Sequence, residues 1–353
     1  MTALPCRAFS PALFLTVAGL CCLSDGPQPA AAAQPAGQAQ SDSADPSTDS
    51  AGELVYFGTY SRGKSEGIYV SRFNPQTGQL GQPRLAAKTQ HPSFLALHPA
   101  GGLLYAVNEI SRMEDKSGLV TAFQIDGKTG LLTELNSAPS AGAHPCHLVV
   151  DSAGRNLLVA NYTGGNVAVL PLAEDGRLTG DVHPVQHHGS SINPNRQKEP
   201  HAHSINLDAS GRYAVAADLG IDQLLVYRFN PRQGKLESAG SARVKAGGGP
   251  RHFTFHPNGR FAYVINELDS TVTAFSWDAD SGRLKNLQTV ATLPAEFNGR
   301  NSTAEIRVHP SGRFLYGSNR GHHSLAIFRI NQQTGELTPA GHHSSGGSTP
   351  RNF

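Results

Sequence analysis

His147, Arg251, His252 and Glu305 stand four or five residues ahead of a recurring turn, and Arg196, His201 and His203 follow one another closely in a single stretch. Neutral imidazole takes up and returns protons near pH 7. Guanidinium forks onto a carboxylate, a phosphate or a developing oxyanion. Brought together, such groups suit proton transfer beside a centre that carries or develops negative charge.

The elements that must bring them together are set out by an internal repeat. A three-residue spacing from His or Asp to Gly lies between two short apolar strands at His98/Gly101, Asp151/Gly154, Asp208/Gly211, His256/Gly259 and His309/Gly312. The intervals are 53, 57, 48 and 53 residues. A Gly-x-Leu turn recurs six times, at Gly78, Gly130, Gly176, Gly234, Gly282 and Gly335. Four short strands per unit of this size, with period-2 alternation and no amphipathic helix, read as an all-β, seven-bladed β-propeller. Residues 54–87 supply three strands of a first blade without its opening strand, and five full units follow. Pro350-Arg351-Asn352-Phe353 matches Pro250-Arg251-His252-Phe253. The expectation is a chain that stops within the first strand of the last blade, short by roughly 40–50 residues, one repeat period.

Aligned on the His/Asp anchor, the copies separate scaffold from site. Three residues before it stand Leu95, Leu148, Ile205, Phe253 and Ile306, and one before it Leu97, Val150, Leu207, Phe255 and Val308. These constant apolar positions are packing between blades. Four before, the copies diverge into Phe94, His147, Ser204, His252 and Glu305; five before, into Ser93, Cys146, His203, Arg251 and Ala304. Ionisable groups near a channel axis are costly when dry and unpaired, so they point to a polar pocket at the channel mouth. Ordinary polar lining of a water-filled channel is the plainer alternative.

The longest interval contains an insertion, residues 187–200, which brings Arg196 to the mouth ahead of His201-Ala202-His203. Long loops on repeat scaffolds are where binding residues collect. Eleven residues after the anchor the copies differ again, which adds Glu267 and Arg320 to the candidates. The position before it, Asn108, Asn161, Asp218, Asn266 and Asn319, is nearly invariant and reads as a turn or cap. His201 and His203, with His147 or Asp218, could make a metal site, but one His-x-His pair is weak support and no metal is assigned. His98, His256 and His309 precede Pro and read as structural. Gly164-Gly165 and Gly247-Gly248-Gly249 lack a following helix, which excludes a P-loop, and no cofactor is called for.

Bulk composition narrows the class. With 29 Lys+Arg against 27 Asp+Glu the net charge is +2, and no basic run is present, which argues against nucleic acid as a partner. Arg7, an apolar stretch from Ala12 to Leu23 and Ala30-Ala31-Ala32-Ala33 together read as a secretory signal over residues 1–33, too short for a comfortable membrane span. The protein is therefore expected to be exported, to the periplasm or beyond, without a membrane span in its mature form. Residues 34–52 read as a disordered linker and 53–353 as the propeller. Cleavage would leave Cys146 alone, so no internal disulfide is expected.

His144-Pro145-Cys146-His147, Asn161-Tyr162-x-Gly164-Gly165, Arg196-Gln197 with His201-Ala202-His203, Asp218-Leu219-Gly220, Gly249-Pro250-Arg251-His252, Asn266-Glu267-Leu268 and Ser318-Asn319-Arg320-Gly321 together resemble the lactonase family of seven-bladed propellers. That family includes the propeller type of 6-phosphogluconolactonase and the 3-carboxy-cis,cis-muconate lactonizing enzyme. The resemblance spans about residues 54–353. It implies ring-opening hydrolysis of a small-molecule sugar lactone, with the functional residues falling on His147, Arg196 and Arg251 and the acidic partner on Glu199 or Glu267. His147 or His201 would then handle the proton, and His201, His203, His252, Glu305 and Arg320 would contact substrate. Two alternatives stay open: cycloisomerisation of an unsaturated dicarboxylate, and an exported propeller that binds a ligand or protein without catalysis.

Overall fold

The computed structural model describes residues 52–353, so the expected signal and nearly all of the expected linker lie outside the described residues. Among the described residues every regular element is a strand. No helix among them is long and apolar enough to cross a membrane. The strands form six antiparallel four-stranded sheets, here called blades 1–6, each built from consecutive strands. The repeat predicts a seven-bladed propeller whose last blade is barely begun, and six blades are seen among the described residues. Blades 2 to 6 run from opening strand to outer strand over 95–139, 145–186, 202–243, 250–291 and 303–344.

Blade 1 differs, as the repeat indicated. Its strands are Glu53–Phe57, Gly67–Asn74 and an outer strand broken into Gln79–Leu80 and Arg84–Lys88, both parts pairing with Gly67–Asn74. It therefore has the second, third and fourth strands of a blade. Residues 350–353 form no strand, but Asn352 donates to Glu305 in the opening strand of blade 6, and the Arg351 guanidinium lies 5.3 Å from the Tyr60 ring beyond blade 1's first strand.

An apolar cluster fills each interface between successive blades. Tyr105, Leu148, Leu157 and Leu170 join blades 2 and 3, and Tyr263, Ile306, Leu315 and Phe328 join blades 5 and 6. Hydrogen bonds fix the register between neighbours. Tyrosines of the second strands donate to the Gly-x-Leu turn of the next blade: Tyr56 to Gly130 O, Tyr105 to Gly176 O and Tyr263 to Gly335 O, each at 2.9 Å. The anchor histidines act similarly, with His98 Nε2 3.1 Å from Gly154 O and His256 Nε2 2.8 Å from Gly312 O. His98 and His256 are thus turn residues that also latch one blade to the next.

Removing one latch has a defined consequence. Tyr263→Phe deletes the hydroxyl and leaves the Gly335 carbonyl without its buried partner, which destabilises by about 1–2 kcal/mol. Urea unfolding followed by fluorescence should show a lower midpoint at unchanged slope.

Candidate active site

Strand pairing explains why two adjacent positions, rather than alternate ones, vary in the opening strands. In blade 5 Pro250 pairs with Asn266 but His252 pairs with Ile265, so Arg251 is an extra residue. Cys146 in blade 3 and His203 in blade 4 occupy the same bulge. A bulge turns its extra residue out of the ladder and re-aims the neighbouring side chain. Antiparallel pairing also brings the start of each opening strand beside the end of the second strand. The residue just past that end is Glu109, Tyr162, Leu219, Glu267 or Arg320 in blades 2 to 6, and Tyr60, three residues past the Glu53–Phe57 strand, holds the equivalent repeat position in blade 1. The mouth is therefore two tiers of side chains, one from the bulges and one from the second-strand ends.

Glu267 is the hub of the upper tier. Its Oε2 lies 2.9 Å from Arg251 Nε and 2.9 Å from Arg320 Nη2, and its Oε1 accepts from Arg196 Nη2 at 2.8 Å. Arg251 is 1% exposed and also donates to Ala304 O at 2.9 Å. Burial alone would raise the Glu267 pKa, but Arg320, Arg251 and Arg196 outweigh it and hold the carboxyl down at about 2. Burial, with the charges of Arg351 and Arg320, brings Arg251 to about 10, still protonated at neutral pH. Arg196 Nη2 also donates to Tyr162 Oη at 3.0 Å, so this one guanidinium links blade 3 to blade 5 across Leu219 of blade 4.

Arg196 can do this because its loop is fastened from below. Gln197 is fully buried and donates to Leu219 O and to Asp222 Oδ1, at 2.9 and 2.7 Å. Asp222 in turn accepts from the amides of Gly247 and Gly249, both at 2.7 Å, which gives the second glycine loop its purpose. Gly220 carries no side chain where a Cβ would lie 2.0 Å from Glu199 O. His187 closes the loop's start, with Nδ1 2.6 Å from Asp218 Oδ2 and Nε2 3.0 Å from the Tyr227 hydroxyl.

Deeper in the channel three imidazoles converge. The His252 ring centroid lies 5.3 Å from those of both His147 and His203, and Phe94 packs on His147 at 4.3 Å. Burial pushes all three histidines towards the neutral form, His252 to about 4. His147 and His252 differ in which nitrogen is free. His147 Nδ1 accepts the Ile205 amide at 3.4 Å, which assigns the proton to Nε2 and makes that atom a donor. His252 Nδ1 faces Glu305 Oε1 at 3.2 Å, while its Nε2 is buried and has no partner among the described residues. Glu305, held ionised by Arg307 and His252 against its own burial, also accepts from the Ile306 amide and from Asn352. Carboxylate, oriented imidazole and a free ring nitrogen are the parts of a general base.

Residues 54–353 match the model of the lactonase family described as a 7-bladed beta-propeller. The chain belongs to this lactonase family. It is 39% identical over 300 residues to a 6-phosphogluconolactonase of Bacillus subtilis, covering 85% of this chain and 84% of the relative. A 6-phosphogluconolactonase of Formosa agariphila is 35% identical over 292 residues, with 81% of each chain covered. Among solved structures, the periplasmic gluconolactonase of Pseudomonas aeruginosa superposes with a TM-score of 0.79 at 36% identity, covering 84% of each chain.

Of the lactonase residues expected from sequence, Arg196, Arg251, Glu267 and Arg320 form one ion-paired cluster, and His147, His203, His252 and Glu305 form the imidazole group. Three expectations change. Glu199 does not join the cluster: its side chain is exposed and forms no ion pair among the described residues, whereas Glu267 pairs with three arginines. His147 is not placed to accept a proton, because the Ile205 amide occupies its lone pair. His201 stacks on Tyr162 at 4.5 Å and donates from Nδ1 to the Tyr162 carbonyl, which makes it a wall. Tyr162 also separates it from His203, Asp218 is engaged by His187, and no group of three metal-binding side chains occurs among the described residues. Tyr60, Glu109, Tyr162 and Arg351 were not among the expected site residues. Arg351 stands at the offset of Arg251, and the other three at the offset of Glu267, so the repeat alignment held the signal for all four.

Proposed function

We propose that this chain is a lactone hydrolase of the 6-phosphogluconolactonase type, opening the ring of a sugar lactone with water at the channel mouth. The observation that carries the mechanism is the unpartnered Nε2 of His252 behind the arginine cluster, with Glu305 at the other side of the ring. His252 Nε2 takes a proton from water as the water oxygen bonds to the lactone carbonyl carbon. The oxyanion that forms is held by guanidinium N–H groups of Arg251 and Arg196. The intermediate collapses, the ring C–O bond breaks, and the departing alkoxide takes the proton from His252. The product is a hydroxy acid, and its ionisation at neutral pH releases one proton. Glu267 is too weak a base, at about 2, for the first step; it positions the arginines.

Proton release from δ-gluconolactone and from its 6-phosphate, followed in a pH-stat, tests this reading. Turnover of neither lactone would sink it. The acid side supplies a second check. His252 must be neutral to act, and burial, only partly opposed by Glu305, lowers its pKa to about 4. Activity should therefore persist below pH 6 and fall about tenfold per unit only below about pH 4, in contrast to a histidine at its ordinary value near 6.5. Export is also part of the proposal and rests on Arg7, the apolar stretch 12–23 and Ala30–Ala33.

A further inference from the structure

Asp222 occupies a turn position that recurs from blade to blade. It stands four residues after Asp218, as Gly165, Ser270 and His323 stand after Asn161, Asn266 and Asn319. All four have left-handed backbone, with φ of 61° at Gly165, 54° at Asp222 and 55° at Ser270 and His323. Each carbonyl accepts an amide near the end of its own blade's outer strand, at 2.9 to 3.1 Å. The backbone role is therefore shared scaffold, and the side chain is where blade 4 departs from the others.

The Asp222 carboxylate is 3% exposed and accepts four neutral donors. An ionised carboxylate offers about four acceptor sites, so it is filled. Two donors, the Ser191 hydroxyl and Gln197 Nε2, belong to the insertion and flank Arg196. The other two, the amides of Gly247 and Gly249, belong to the loop that leads through Pro250 into Arg251. That loop also fixes Glu267: Gly249 O accepts the Glu267 amide at 2.7 Å, and Gly248 O the Leu268 amide at 2.9 Å. Glu267 joins the guanidiniums of Arg196 and Arg251 at their tips, whereas Asp222 joins the backbones that carry them.

We propose that Asp222 is a positioning residue that sets Arg196 and Arg251 relative to each other, making the insertion and the glycine loop one mechanical unit. Two donors to one oxyanion act together only when both are in place, and a misplacement of about 1 Å can cost about 100-fold in rate. The catalytic consequence rests on the lactone-hydrolase reading; the coupling of the two segments does not.

The test uses the full chain. Asp222→Ser introduces the residue that blade 5 already holds at this turn, so the backbone is kept and the carboxylate removed. Asp222→Asn retains one acceptor oxygen. Trypsin reads the coupling without turnover, because each segment contains a site, Arg196-Gln197 and Lys245-Ala246. Asp222→Ser should raise the cleavage rate at both bonds by at least about tenfold, and Asp222→Asn by less. Ser191→Ala, which removes one donor from the insertion side, should affect the Arg196 bond alone. Acceleration of only one bond in Asp222→Ser, or of neither, overturns the coupling. An equal acceleration after Lys128, in the remote turn of blade 2, makes the effect general unfolding and also overturns it.

With δ-gluconolactone or its 6-phosphate, Asp222→Ser should lower kcat by about ten- to a hundredfold with KM little changed. The loss should shrink to less than about threefold in an Arg196→Gln background, where the donor it positions is already gone. Additive losses, or a change confined to KM, remove the positioning role. If the wild type turns over neither lactone while both bonds open together in Asp222→Ser, the coupling stands and the hydrolase reading falls. Should Asp222→Ser fail to fold, Asp222→Asn carries the same comparisons.

Discussion

Replacing His252 with glutamine should lower kcat for lactone opening by about two to four orders of magnitude and abolish the acid limb near pH 4. Glutamine fills similar space and keeps a polar end, but it has no basic nitrogen. Its effect therefore separates proton transfer from packing. Glu305→Gln should lose less, because the imidazole remains while its orientation and tautomer are no longer imposed. His147→Gln is the informative control: its Nε2 is a donor, so its replacement should leave the acid limb where it was. The opposite pattern, with the limb lost in His147→Gln and kept in His252→Gln, would reverse the assignment of the base. The value of kcat across pH 3 to 8, a range of about five units around the expected limb, followed as loss of the lactone rather than as proton release, would read both.

Glu267→Ala should be the most damaging change to the fold of the site. It removes the one carboxylate that three guanidiniums share and leaves Arg251 buried with uncompensated charge. Breaking a buried pair in this way costs about 3–5 kcal/mol. Arg196 is 39% exposed on its side chain and can turn towards water, so most of the loss comes from Arg251. Substrate binding should fall with it, since Arg196 and Arg320 lose the group that aims them. Glu267→Gln keeps the shape and one acceptor and should fall between. The sign with pH follows from the depressed carboxyl. Ionised Glu267 stabilises the native state above the unfolded value of about 4.3, and the contribution disappears as pH falls towards about 2. Wild type and Glu267→Gln should thus converge in stability between pH 4 and 2; curves that stay parallel through this interval, about two units wide, would count against the carboxylate's role.

The blade architecture was legible because packing repeats. Leu148, Ile205, Phe253 and Ile306 recur where neighbouring sheets touch, and their period gives the blades directly. The imidazole group and the arginine cluster were legible for the complementary reason: function needs different residues at equivalent places. What the alignment could not supply was direction. Whether His147 or His252 offers a lone pair depends on an amide from the adjacent blade and a carboxylate from the next one, neither adjacent in sequence. Glu199 looked plausible beside Arg196, yet its neighbour Gln197 is the residue that turns inward, and the carboxylate is left in solvent.

The fastening of residues 187–200 has a kinetic meaning. Gln197, Asp222 and His187 hold the segment through buried hydrogen bonds, so Arg196 stands at the mouth before any substrate arrives. A lid must order itself at each binding event, which weakens affinity and can gate turnover. This segment acts as a fixed jamb instead. Encounter then needs no rearrangement of this segment, and the entropy of positioning the Arg196 guanidinium, proposed as an oxyanion donor, is settled during folding, once, for every later turnover.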